Sequence, residues 1–152
     1  MADPTTAPPA ARYLGFAGLL PQLLALAAAY SGVPEWRFAA QALGFAYAAL
    51  ILSFLGGLWW GLAAAAGARA PGWVYGAAVV PSLVALAGCV PWAIGATWPG
   101  PSMLMLGLAL VASLAVDRRL AALDLAPAWW LRLRTPLSLG LGACTLGIAI
   151  YA

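Results

Sequence analysis

From Phe38 to Ala68 the chain reads FAAQALGFAYAALILSFLGGLWWGLAAAAGA, without one charged residue. A bilayer core of about 30 Å takes about 20 helical residues per crossing, so this stretch crosses once with length to spare. Three further uncharged runs, 13–34, 70–116 and 135–152, occupy most of the remainder. Run 70–116 is long enough to cross twice. It breaks at Pro91-Trp-Ala-Ile-Gly-Ala-Thr-Trp-Pro-Gly-Pro101, where three prolines and two glycines stop a helix. The last run is short by itself but is preceded by Pro127–Leu133. Backbone polar groups in lipid must be paired internally, and nothing alternates in the manner of barrel strands. The expectation is therefore an all-α, polytopic integral membrane protein. Its bundle of five transmembrane helices falls at about 13–31, 38–66, 73–91, 102–118 and 133–151, a single domain 13–152 behind a flexible N-terminal tail 1–12.

Composition agrees and narrows the chemistry. Of 152 residues, 65% are hydrophobic and 7% charged, against about 25% charged in soluble domains. That excludes an ordinary soluble domain and a disordered chain, and the net charge of +3 reports topology, not a nucleic-acid partner. The chain has no His, which excludes His-ligated haem, His-containing metal sites and imidazole general bases. Cys89 and Cys144 make neither a metal site nor a disulfide framework. No cofactor and no metal is expected.

The positions of the arginines set an orientation. Arg12, Arg69, Arg118, Arg119, Arg132 and Arg134 fall on one side of the five spans and Arg37 alone on the other. By the positive-inside rule the N-terminus is cytoplasmic and the C-terminus outside. Residues 13–29 with Ala27-Ala-Ala-Tyr30 loosely resemble a signal peptide, but Pro21-Gln22 and the weakly basic tail argue against cleavage.

Within the second span small residues recur every four positions at Ala49, Ser53, Gly57, Gly61 and Ala65. That spacing puts them on one face, and Ala49, Gly57 and Gly61 are read as helix-packing positions. Gln22, Tyr47, Ser53, Trp59 and Trp60 are candidate walls of a ligand pocket, although Gln22 and Gln41 also suit the structural task of bridging helices. The fourth loop holds Asp117, Arg118, Arg119, Trp129, Trp130, Arg132 and Arg134. These are read as a cytoplasmic contact for anionic lipid headgroups or a partner, with Asp117 an ion-pair partner for a nearby arginine. Thr135-Pro136 reads as the N-cap and first turn of the last helix.

Tyr47–Gly61 with its Ser-Phe-Leu-Gly-Gly-Leu-Trp-Trp-Gly core, Val79-Val-Pro-Ser-Leu83, Asp117 and Pro127-Ala-Trp-Trp-Leu-Arg-Leu-Arg134 resemble domain-of-unknown-function family 3429. That family includes bacterial membrane proteins and the mitochondrial transmembrane protein 69, and the likeness runs along essentially the whole chain. The resemblance implies a small multi-helix protein of the bacterial inner membrane and brings no activity, ligand or catalytic residue.

Three functional readings follow. The first is a non-enzymatic membrane protein acting through helix-face contacts with itself or a membrane partner. The second is binding or sensing of an apolar or planar molecule in a Trp-lined pocket, for which five-helix tryptophan-rich sensory proteins are a topological analogy. The third, a transporter or enzyme, is disfavoured because no ionisable group is expected at membrane depth and no serine has a base within its helix.

Overall fold

The computed structural model describes residues 5–151. Among them every regular element is helical: α1 Pro9–Ala17, α2 Leu20–Ala29, α3 Pro34–Ala66, a 3-10 turn Gly67–Arg69, α4 Trp73–Ala93, α5 Gly100–Ala122 and α6 Trp130–Tyr151. With α1 and α2 taken as one broken span, five helical segments are long and apolar enough to cross a membrane. Large apolar side chains such as Leu24, Leu43, Leu50, Leu86 and Ile150 point outward, as a lipid-facing surface requires.

The ends differ from the sequence reading for local reasons. Helix α1 starts at Pro9, so the last part of the expected tail is helical; residues 1–4 lie outside the described residues. The first span breaks at Gly18-Leu19 because Pro21 has no N–H to return to the Ala17 carbonyl. There the Tyr47 hydroxyl donates to the Gly18 carbonyl, satisfying a group the break frees. Helix α6 begins at Trp130 and runs through Pro136, so Thr135-Pro136 is interior to the helix and is not its cap.

Helix α5 does not stop at its arginines but continues to Ala122. Its end is a Schellman turn: Leu125 N–H bonds the Leu120 carbonyl, Asp124 N–H bonds the Ala121 carbonyl, and Asp124 sits at φ 52°. Leu120 and Leu125 are both buried, the apolar contact that accompanies such turns. The chain thus reverses sharply, and α5 and α6 form the most extensive helix pair. Gly107 and Gly142 set how close they come: a Cβ on Gly142 would lie 3.1 Å from the Gly107 carbonyl oxygen, and one on Gly107 3.2 Å from that of Gly142.

Helix α3 touches α2, α4, α5 and α6 and is the centre of the bundle. Its buried seam is Ala48, Leu52, Leu55, Gly56, Trp59 and Ala63; of the expected packing positions Ala49 is partly buried against the core, while Gly57 and Gly61 lie outside the seam. A repeat of four drifts about 40° per step around a helix of 3.6 residues per turn, so the small-residue series winds off the packed face. Gly56 is the close-approach residue, since a Cβ there would stand 2.2 Å from the Ala78 carbonyl oxygen. Gly57 and Gly61 would meet nothing within 4 Å and face outward.

Candidate functional site

The one ion pair among the described residues lies inside the bundle. Asp117 on α5 is fully buried. Its Oδ1 accepts from Trp59 Nε1 at 2.9 Å and from Trp130 Nε1 at 3.0 Å. Its Oδ2 accepts from Arg134 Nε at 3.0 Å. Arg134 Nη2 in turn donates to Ser138 Oγ at 2.8 Å; Ser138 Oγ lies 3.4 Å from Ser113 Oγ, and Ser113 Oγ donates to the Leu110 carbonyl at 2.6 Å.

The local geometry explains the convergence. Ser113 and Asp117 are four apart on α5, as are Arg134 and Ser138 on α6, so each pair shares a helix face. The Schellman turn lays those two faces together, and Trp59 reaches in from α3. A buried carboxylate is tolerable only when it is paired and hydrogen-bonded. Here one guanidinium balances the charge and two indole donors fill the other oxygen. The network therefore ties α3, α5 and α6 into one unit.

This corrects several expectations. Asp117, Trp130 and Arg134 face the bundle interior, not lipid headgroups; only Arg118, Arg119 and Arg132 are exposed, with Trp129 partly so. Adjacent residues on a helix point about 100° apart, which is why Trp129 and Trp130 part company. The ion pair expected of Asp117 is made with Arg134. Asp117 and Arg134 are buried residues of the candidate spans Gly100–Ala122 and Trp130–Tyr151, each close to one end of its helix.

The five pocket candidates do not meet. Gln22 is fully buried and donates to Thr145 Oγ1 at 2.9 Å across the α2–α6 contact. Tyr47 serves the break in the first span. Ser53 Oγ lies 2.8 Å from Ser82 Oγ of α4. Trp60 points outward with its ring against Tyr75. Trp59 lines a cleft of about 250 Å³ between α3, α4 and α5, together with Leu52, Pro81 and Ser113, and Tyr47 lines a separate one of about 470 Å³ between α2 and α3, with Pro21, Leu24 and Leu43. On the other side of the network a third cleft, of about 150 Å³, runs between α1, α3 and α6 and reaches Arg134 and Ser138. Among the described residues no group of His, Cys, Asp or Glu could hold a metal ion.

A family model described as a protein of unknown function, DUF3429, matches residues 7–150. The chain belongs to this family. No curated protein and no solved structure matches it. The segments that carry the family likeness, far apart in sequence, meet in the network: Trp59 comes from Tyr47–Gly61, and Trp130 and Arg134 from Pro127–Arg134, around Asp117. Gly56 and Pro81, from two of the same segments, face each other where α3 crosses α4, a Cβ on Gly56 lying 3.4 Å from Pro81 Cγ.

Proposed function

We propose that this DUF3429 chain is a non-enzymatic, multi-pass protein of the bacterial inner membrane, N-terminus cytoplasmic and C-terminus outside, that works through helix-face contacts with a second copy of itself. The observation that carries the reading is the outward face of α3, where Gly57 and Gly61 would each meet nothing within 4 Å. Leu50 and Phe54 stand exposed beside them. Two glycines four apart on a lipid-facing helix let a second backbone approach closely, and large neighbours then pack around the crossing. Because the patch comes from one helix of a single chain, two copies meet through the same surface, the geometry of a closed two-fold dimer. The interior supports a structural role for the ion pair, since both charges are engaged with one another and with neutral donors and acceptors.

Disulfide formation tests it. Ala64 is on the same exposed face, and Ala64→Cys in a background with Cys89→Ala and Cys144→Ala should give crosslinked dimers in native membranes. Adding Gly57→Leu and Gly61→Leu should abolish them while the unfolding midpoint of the chain stays put. Equal crosslinking in both backgrounds would overturn the contact reading.

The Trp59 cleft favours a second reading, binding of an apolar or planar molecule. Saturable quenching of tryptophan fluorescence by a porphyrin, sterol or quinone, lost in Pro81→Leu, would support it; no saturable quenching across that panel would count against it.

A further inference from the structure

The cleft between α1, α3 and α6 ends on a charged group with a donor to spare. Arg134 uses Nε on Asp117 and Nη2 on Ser138, while Nη1 has no acceptor among the described residues. The side chain is 9% exposed, and it lines this cleft. A guanidinium stays protonated, so N–H groups facing an apolar cleft without an acceptor are costly, more so than neutral ones. An oxygen from outside the chain relieves that cost.

The charge balance decides what kind of oxygen. Asp117 already neutralises Arg134, so an anion drawn into the cleft would leave an unbalanced negative charge in a low-dielectric site. A cation meets no free acceptor and is repelled by the guanidinium. A neutral acceptor, a carbonyl, fits. Leu14, Ile51, Phe54, Leu137 and Leu141 make the remaining walls apolar. Along α6 the cleft extends from Arg134 to Leu141, about 10 Å at 1.5 Å per residue, and it begins on the fifth residue of that helix, near one end of the bundle. At the same end Arg132 is exposed; its guanidinium reaches the Thr5 carbonyl at 3.5 Å.

We infer that this cleft is a binding site for one anionic glycerophospholipid. An acyl chain lies along the apolar walls, its ester carbonyl accepts from Arg134 Nη1, and its phosphate stays outside with the exposed arginines, Arg132 first. The carbonyl sets the depth of the lipid and the phosphate its headgroup class. The inference does not rest on the dimer reading, although Phe54 borders both surfaces.

The test is lipid retention by the full chain, extracted in mild detergent from vesicles of dioleoyl phosphatidylglycerol, its diether analogue, or dioleoyl phosphatidylcholine, and weighed by native mass spectrometry. Wild type should retain one diester phosphatidylglycerol per chain. Retention should fall about ten-fold with the diether lipid, which keeps the phosphate but lacks the carbonyl, and also with phosphatidylcholine. Ile51→Trp, which fills the cleft without touching the network, should lose the lipid as well. Equal retention of diether and diester lipid would refute the contact to Arg134, and equal retention by Ile51→Trp would refute the cleft as the site. If phosphatidylcholine is held as tightly as phosphatidylglycerol, the arginines do not select the headgroup and the anionic class is wrong.

Discussion

Replacing Asp117 by Asn removes one charge from the bundle centre and almost no volume. Asn keeps an Oδ1 for the indoles of Trp59 and Trp130, but it turns an N–H₂ toward Arg134 Nε, which needs an acceptor. The guanidinium is then buried and unpaired. Breaking a buried pair in this way costs about 3–5 kcal/mol in soluble proteins. Helices unfolded within a membrane find substitute partners, so we expect the low end, about 3 kcal/mol. Reversible unfolding by sodium dodecyl sulfate, followed by circular dichroism in mixed micelles, reads this directly. The double variant Asp117→Asn with Arg134→Gln removes both charges and should recover at least half of the loss, because two amides can hydrogen-bond without an unpaired ion. A single variant within about 0.5 kcal/mol of wild type, or a double variant whose loss is the sum of the two single losses, would refute the view that Asp117 and Arg134 hold the helices together.

Two further outcomes follow from packing and capping. Gly56→Ala should destabilise by about 1–3 kcal/mol, because the new Cβ meets a backbone oxygen of α4 at 2.2 Å. Gly57→Ala should be neutral in the same unfolding assay, and equal effects at the two positions would reject the assigned seam. Tyr47→Phe should cost roughly 1 kcal/mol and speed amide exchange at residues 18–22, where the hydroxyl holds the Gly18 carbonyl. Unchanged exchange there would show that the break in the first span needs no cap.

Charge placement makes the five spans readable, because a charge is costly in lipid and a chain that must stay dissolved in water does not go thirty residues without one. Facing is harder to read. A spacing of four approximates a helix face over one turn and fails over four, and so Gly57 and Gly61 part from the packed seam while Ala49 stays at its edge. Asp117 is hidden by its neighbours: Arg118 and Arg119 suggest a helix end, yet the stop signal is the Asp124 turn further on. Trp129-Trp130 resembles an interfacial belt when read as composition and divides once helical azimuth is applied. A legible signal exists in the two i, i+4 pairs, Ser113 with Asp117 and Arg134 with Ser138. The part played by Trp59 depends on how α3 crosses α5, which no local pattern encodes.

The sharp reversal between α5 and α6 also bears on assembly in time. When Asp117 leaves the ribosome, Trp59 is already outside, but the guanidinium that neutralises the carboxylate lies seventeen residues further along the chain, in α6, and is still inside the exit tunnel. A lone carboxylate in a span opposes partition into lipid. It follows that α5 waits at the insertion machinery, or at the membrane surface, until α6 arrives, and the two enter as a hairpin with their charges already cancelled.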